Sequence, residues 1–213
     1  MPPETPSPPP HAGTAPWSEQ QWDERYATAE QVFSGNPNGA LVAEVSALPP
    51  GRVLDVGCGE GADAVWLAGR GWAVTALDVS RVALDRGAQA AERAGAAVTW
   101  VHAGLVDAAL PPGAYDLVSA QYPALLRTPD RAAERALLGA VAAGGTLLVV
   151  HHEVLDGASH GFDPADYVSP AGVAELLDDD WQVEVDERRP RSIAGGAGAH
   201  HTVDLVLRAR RLP

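Results

Sequence analysis

Two groups of residues in this chain have the residue types and the spacing of a functional site. The first is Asp55, Gly57, Gly59 and Gly61, an acid and three glycines at alternate positions after an apolar run. Glycines let the backbone turn tightly and leave no side chain between it and a ligand. Such a loop between a buried strand and a helix is typical of a nucleotide-type cofactor site at the carboxyl ends of strands.

The second group consists of histidines and arginines in the last third of the chain. An imidazole titrates near neutrality, so one of these histidines is a candidate general base. Together with Glu153 the histidines also have the ligand types for a divalent metal, and the arginines could bind a substrate carboxylate. Solvated histidines at strand ends, and arginines that balance the acidic run 178–180, are the alternatives. The candidates are His151, His152, His200, His201, Arg188, Arg189 and Arg191.

The elements that must position these residues alternate between strand and helix, which predicts a doubly wound α/β sheet with helices on both faces. The last two strands have no helix between them and are expected to form an antiparallel hairpin. Strands are predicted at residues 52–56, 73–77, 97–102, 115–120, 146–151, 182–188 and 202–208. Helices are predicted at residues 17–33, 40–48, 62–68, 80–94, 128–143 and 170–177, the first with Ser18 and Gln21 spaced as a capping box.

The glycine loop resembles the first motif of class I S-adenosylmethionine-dependent methyltransferases, written D-x-G-x-G-x-G, at every fixed position. Asp78, at the end of the next apolar run, matches the acid that in this family accepts hydrogen bonds from the two ribose hydroxyls. The resemblance implies S-adenosylmethionine as cofactor and a seven-stranded Rossmann-like sheet in the order 3-2-1-4-5-7-6, with strand 7 antiparallel. The cofactor contacts that it implies are Asp55, Gly57, Cys58, Gly59, Asp78, Val79, Gly104, Leu105 and Ala120.

Gly57, Gly59 and Ala62 also satisfy the looser dinucleotide pattern G-x-G-x-x-G/A. An NAD(P)-dependent oxidoreductase of Rossmann type is therefore the alternative from another class. The terminal hairpin favours the methyltransferase, because it is typical of that fold and atypical of dinucleotide folds. A catalytically silent cofactor-binding protein is a third possibility.

Residues 22–26 resemble the small-molecule branch that includes tellurite-resistance and thiopurine methyltransferases, in which an N-terminal helix closes over the cofactor. Trp22 and Tyr26 are spaced i, i+4 and share a helix face, so they are expected to contact the cofactor. The alternative is that the two rings only pack the helix down. The branch often carries an acid after strand 3 that contacts adenine, and residues 103–105 contain none. A backbone carbonyl or Asp107 could substitute for it.

Composition narrows the class of substrate. The formal net charge is −13 and the chain has no lysine, so it lacks the basic stripe that a phosphate backbone requires. No apolar stretch is long enough to cross a bilayer. A single cysteine excludes an internal disulfide framework and favours a cytoplasmic location.

We expect a Pro-rich disordered tail at 1–16 and one methyltransferase domain at 17–213, with a helical cap at 17–48. The sequence leaves the oligomeric state open.

The topology places the histidine pairs near the cofactor. Strand 5 ends at His151 and His152, strand 7 begins at the same edge after His200 and His201, and Gln121 and Tyr122 follow strand 4. We predict methyl transfer to a small molecule by in-line displacement, for which alignment can supply much of the rate. A histidine base is needed only for a weakly acidic nucleophile, and metal-assisted O-methyl transfer is the alternative.

Overall fold

The computed structural model of this protein describes residues 17–153, 166–191 and 201–213. Helices and strands alternate through the first two thirds of the chain. The elements are α1 (Glu19–Ala27), α2 (Gly39–Val45), β1 (Arg52–Val56), α3 (Ala62–Ala68), β2 (Ala73–Asp78), α4 (Arg81–Ala94), β3 (Val98–His102), β4 (Tyr115–Gln121), α5 (Ala132–Ala140), β5 (Val141–His152), α6 (Pro170–Ala174), β6 (Trp181–Pro190) and β7 (Val203–Arg211). The expected tail at 1–16 lies outside the described residues.

The seven strands form one sheet in the order β3-β2-β1-β4-β5-β7-β6. Strands β1 to β5 are parallel to one another, and β7 is antiparallel to both β5 and β6. The predicted fold is therefore confirmed. Because β1 to β5 are parallel, the loops that follow them meet at one edge of the sheet, where β7 begins.

The hydrophobic core has one main layer on each face of the sheet. Neighbouring residues of β1 point to opposite layers, as in any strand: Val53 packs with Leu41 of α2 and Leu67 of α3, whereas Leu54 packs with Leu137 of α5. All of these leucines and valines are fully buried. None of the helices in the described ranges is long and apolar enough to cross a membrane.

The first helix is shorter than predicted. The capping box of Ser18 and Gln21 is present, but α1 ends at Ala27 instead of reaching residue 33. The N–H groups of Val32 and Phe33 donate to the carboxylate of Glu60, at 3.1 and 3.0 Å, so they take no part in a helical ladder. Residues 32 and 33 are thus held by a long-range contact outside the helix.

The predicted helix at 128–143 is also too long at both ends. It extends only over α5, because Val141 pairs with Tyr115 of β4 and begins β5. At the other end Arg131 has a φ of +56°, which is incompatible with a helical residue. The remaining strand and helix ends differ from prediction by five residues or fewer, as in α2 and α6, which end at Val45 and Ala174.

Candidate functional site

The glycine loop joins β1 to α3 in a conformation that only glycine adopts readily. Gly57, Gly59 and Gly61 have φ values of +68°, +51° and +79°. The N–H of Gly57 donates to the Leu77 carbonyl at 2.8 Å, and that of Gly59 to Asp78 Oδ2 at 2.8 Å. The loop is thus fastened to the end of β2, and Asp78 lies directly beside it.

Each glycine of the loop serves a different purpose. Within the part of the chain that the structure describes, a Cβ on Gly57 would meet nothing closer than Pro123, at 3.9 Å, so the backbone there borders open space. A Cβ on Gly59 would lie 2.8 Å from the Tyr26 hydroxyl oxygen, and one on Gly61 would lie 2.7 Å from the Trp100 ring. Gly57 therefore gives a ligand access to the backbone, while the other two allow the cap and the sheet to pack closely.

Buried carboxyl groups lie beneath the loop. Asp55 is 1% exposed, and its Oδ2 has no hydrogen-bond partner within the described residues. Burial raises the pKa of Asp55 well above its ordinary value, and repulsion from Asp63 and Asp78 raises it further. Asp63 differs because Asn38 donates to it twice, from its backbone N–H and its side-chain amide. A cation placed near Asp55 would relieve this repulsion, so the loop fits a ligand that carries positive charge.

The N-terminal cap is held by hydrogen bonds to the start of α4, beside the glycine loop. Asp23 Oδ1 accepts hydrogen bonds from Ser80 Oγ at 2.6 Å and from the Val82 N–H at 3.1 Å, at the start of α4. Tyr26 is 4% exposed, and its ring centroid lies 6.2 Å from that of Trp22. Burial, followed by the charge of Asp78, raises the pKa of Tyr26 well above its ordinary range. The structure thus brings Tyr26 to the glycine loop, with Trp22 beside it.

The residues after β2 and β3 form the opposite wall of the site. Val79 lies within 3.9 Å of the position that a Cβ on Gly104 would occupy, and Asp107 Oδ2 lies within 3.3 Å of it. The N–H of Asp107 donates to the Gly104 carbonyl at 3.1 Å. A carboxylate is therefore present beside the turn where the sequence motif lacks one. Leu105 is buried under this turn, and Ala120 is buried opposite Val56 in the sheet.

A second cluster of functional groups lies where β4 and β5 end and β7 begins, and we call it the histidine cluster. The His152 ring stacks on Tyr122 on one side and on His201 on another, with both centroid distances 4.1 Å. The Arg191 guanidinium lies 4.7 Å from the Tyr122 ring centroid. Tyr122 has a φ of +53°, which is uncommon outside glycine and is often found at functional sites. The members are Tyr122, His152, Arg191, His201 and Asp204.

Sequence reasoning missed Asp204, the acid of this cluster. Asp204 is 5% exposed, and its Oδ2 accepts the Tyr122 hydroxyl at 3.0 Å. Its Oδ1 lies 3.7 Å from His152 Nδ1 and 3.5 Å from Arg191 Nε. The signal in the sequence was an acid at the start of an apolar strand, where an unpaired charge would be costly.

The other candidates of the second group lie elsewhere. Arg188 pairs with Glu153, and Arg189 pairs with Glu187 and with the buried Glu44 of α2, so only Arg191 of the three arginines is in the cluster. Gln121 is buried and donates to Ser119 Oγ at 3.0 Å. His200 lies outside the described residues, where its predicted role is untested.

Two further candidates are uncharged in this environment. Burial raises the pKa of the Cys58 thiol well above its ordinary value, so the thiol stays protonated. Burial lowers the pKa of His151 to about 4, with repulsion from His152 as the next cause. Within the described ranges, no three His, Cys, Asp or Glu side chains form a group that could hold a metal ion.

Acid should destabilise the protein through His151. Its folded pKa of about 4 lies below the unfolded value near 6.5, so its neutral form favours the fold. The stability that this provides is fully present above pH 6.5 and is lost as the pH falls through about 4. Relative to His151→Gln, the wild type should lose roughly 2 kcal/mol between pH 7.5 and 4.5, measured by urea unfolding. A difference that does not change with pH would contradict this environment for His151.

Comparison with known proteins agrees with this geometry. Residues 53–145 match the family model described as a methyltransferase domain. An uncharacterised methyltransferase of Mycobacterium tuberculosis is 44% identical over 99 residues, which cover 46% of this chain and 49% of that protein. The chain thus spans about half the length of the curated relatives that it matches.

Two solved structures share the fold at lower sequence identity. One, from a study of the conversion of a disulfide bond into a thioacetal group during echinomycin biosynthesis, has a TM-score of 0.72 and 23% identity and covers 91% of this chain and 92% of its own. The other is the 1,6-didemethyltoxoflavin-N1-methyltransferase of Burkholderia thailandensis, with a TM-score of 0.57, 22% identity, and coverage of 81% and 75%. That enzyme was solved with 1,6-didemethyltoxoflavin and S-adenosylhomocysteine bound.

Proposed function

We propose that this chain, whose domain is that of a class I S-adenosylmethionine-dependent methyltransferase, transfers the cofactor's methyl group to a small-molecule acceptor. One observation carries the proposal: the left-handed backbone at Gly57 borders open space directly after the strand that holds Asp55, a buried acid whose Oδ2 has no hydrogen-bond partner within the described residues. A zwitterionic cofactor with an amino group and a sulfonium provides the positive charge that such a place favours.

The residues around the loop fit the remaining parts of the cofactor. Asp78 uses one lone pair of each oxygen on the N–H groups of Gly59 and Ser80, so each oxygen can still accept a ribose hydroxyl. Val79, Gly104 and Leu105 would border the adenine, with Asp107 as the acid for its amino group. Trp22 and Tyr26 would cover the site, where aromatic faces suit a cation.

Methyl transfer from the bound cofactor requires few further groups of the protein. When bound, the cofactor supplies an activated methyl group on its sulfonium. The protein has to hold the acceptor in line with the methyl–sulfur bond and exclude water. The histidine cluster is the place we assign to the acceptor, because Pro123, the residue after Tyr122, faces Gly57. A histidine there could remove the proton of a weakly acidic acceptor.

A small molecule is the best-supported class of acceptor. The chain has a formal net charge of −13 and no lysine, which opposes binding to a nucleic acid backbone. A protein of the same fold, the Burkholderia enzyme, was solved with a small heterocycle bound. The Arg191 guanidinium faces Asp204, so its charge is already balanced and the acceptor need not be a carboxylate. We also propose a cytoplasmic location, because the chain has a single cysteine.

An NAD(P)-dependent oxidoreductase is the alternative that a binding test excludes most directly. Isothermal titration should show binding of S-adenosylhomocysteine and no binding of NAD or NADP. Asp78→Asn should weaken S-adenosylhomocysteine by about 1.5–3 kcal/mol, since a charged hydrogen-bond partner is lost. Asp85→Asn is the matched control, because Asp85 lies exposed on α4.

Two outcomes of this titration, and one of a separate activity assay with a chelator, would count against the proposal. Binding of NAD instead of S-adenosylhomocysteine would replace it with the oxidoreductase. Equal affinities for the two asparagine variants would remove the ribose role of Asp78. Loss of activity on chelation, together with a metal found by elemental analysis, would favour metal-assisted transfer.

A further inference from the structure

We propose that Asp23 of the N-terminal cap is a positioning residue for the cofactor: acting through Ser80, it orients the Asp78 carboxylate toward the ribose. This inference rests on the proposed function and deepens it, because it assigns part of the affinity for the ribose hydroxyls to a residue of the cap. The observation behind it is a series of hydrogen bonds that joins Asp23 to Ser80 and Ser80 to Asp78.

Asp23 holds the start of α4 with one carboxylate oxygen. Its Oδ1 accepts hydrogen bonds from both Ser80 Oγ and the Val82 N–H. The Val82 N–H is one of the first N–H groups of α4, which have no partner within the helix. Ser80 Oγ in turn accepts the Ala83 N–H, at 3.1 Å. Asp23 and Ser80 thus cap α4 together, and each side chain fixes the other.

Ser80 transmits this order to Asp78. Ser80 is fully buried, and its hydroxyl is held on two sides, as a donor to Asp23 and as an acceptor from α4. Its N–H donates to Asp78 Oδ1 at 2.9 Å, whereas the Gly59 N–H donates to Oδ2. The two oxygens of Asp78 therefore have separate supports: the glycine loop holds Oδ2, and the turn that Asp23 holds supports Oδ1.

The charge of Asp78 depends on the same contact. Burial raises the pKa of Asp78 above its ordinary value, and the hydrogen bond from the Ser80 N–H is the largest of the influences that oppose this rise. A carboxyl group accepts hydrogen bonds with both oxygens only while it is ionised. A less ordered Ser80 would thus weaken Asp78 as a ribose ligand in two ways, through its orientation and through its charge.

Apolar packing keeps α1 in place for this contact. Tyr26 packs against Ala83 of α4, and Trp22 and Val82 border the same small cluster. Residues three apart in a helix share a side of it, so Asp23 faces α4 together with Tyr26. The ring that lies beside the glycine loop and the carboxylate that holds the turn after β2 therefore move as one unit.

The experiment compares S-adenosylhomocysteine with its 2′-deoxy and 3′-deoxy analogues by isothermal titration. Asp23→Ala should weaken S-adenosylhomocysteine by about 3- to 12-fold, roughly the net contribution of one hydrogen bond. The analogue without the hydroxyl that Asp78 Oδ1 accepts should be affected by less than about 2-fold, because its contact with Oδ1 is already absent. The other analogue should show the full loss.

Two further variants test the hydrogen bonds themselves. Asp23→Asn should bind S-adenosylhomocysteine within about 2-fold of the wild type, because its amide oxygen can accept the same two hydrogen bonds. Glu24→Ala is the matched control. Glu24 is the next residue of α1, is exposed, and accepts a hydrogen bond from Gln20 of the same helix. Its removal should leave the affinities for all three ligands unchanged.

The outcomes separate this inference from the proposed function. Equal losses with the three ligands in Asp23→Ala would overturn the positioning role, because Asp23 would then only dock the cap. Asp23→Asn as weak as Asp23→Ala would also overturn it, in favour of a charge effect at the N-terminus of α4. Partial unfolding lowers the apparent affinity for every ligand by the same factor, so the comparison among ligands holds. Failure of the wild type to bind S-adenosylhomocysteine would instead contradict the proposed function.

Discussion

Replacement of Gly57 by valine should abolish measurable binding of S-adenosylhomocysteine, with an affinity loss of more than about 100-fold, or roughly 2.7 kcal/mol. The structure gives two reasons. The φ of +68° costs a residue with a Cβ on the order of 1–2 kcal/mol. In addition, the valine methyls would occupy the open space beside the loop, where Pro123 is the only described residue within 4 Å of a Cβ.

A matched variant separates backbone strain from obstruction of the ligand. Gly95 ends α4 with a similar φ of +65°, and a Cβ there would meet no atom of the described residues within 4 Å. Gly95→Val should therefore lower thermal stability by a similar amount while S-adenosylhomocysteine affinity stays unchanged in isothermal titration. Gly57→Ala should fall between wild type and valine, because it adds the strain with less bulk. Normal affinity of Gly57→Val would place the cofactor elsewhere.

The cofactor side of the site is largely readable from the sequence. The acid, the alternating glycines and Asp78 are local in the chain, and their positions follow from where apolar runs end. The sheet order followed from the family resemblance and from the missing helix between the last two strands, and the structure confirms it. Short-range rules suffice for these features because the residues of each motif are neighbours in one strand–loop–helix unit.

The acceptor side depends on long-range pairs that no local pattern reveals. Asp204 meets His152 only through the register of β5 with β7. Arg189, a candidate for substrate binding, pairs with the buried Glu44 of α2, far away in the chain. The N–H groups of Val32 and Phe33, which the sequence predicted to be helical, likewise donate to Glu60 of the glycine loop. A one-residue change of register would turn every side chain of a strand to the other face.

Replacing His152 by alanine should slow methyl transfer to a phenol by about 10²- to 10⁴-fold, the usual contribution of a general base. A phenol is mostly protonated near neutrality, so its oxygen becomes a good nucleophile only as its proton leaves. The proposed function assigns this proton to a histidine of the histidine cluster, and His152 is the member whose Nδ1 lies 3.7 Å from Asp204 Oδ1. Affinity for S-adenosylhomocysteine should not change, since the imidazole lies outside the glycine loop.

The choice of acceptor makes this prediction specific to base catalysis. A panel of phenols is compared with the corresponding thiophenols, which are largely ionised at pH 8 and need no base. For an acceptor pair that the wild type methylates, His152→Ala should lower the single-turnover rate with the phenol and leave the rate with the thiophenol within a few-fold. Equal losses with both would mean that His152 only holds the acceptor in place. If the variant and the wild type methylate both acceptors at equal rates, His152 contributes nothing to the rate. Alignment of the acceptor with the methyl–sulfur bond would then be the source of the rate for the phenol as well as for the thiophenol.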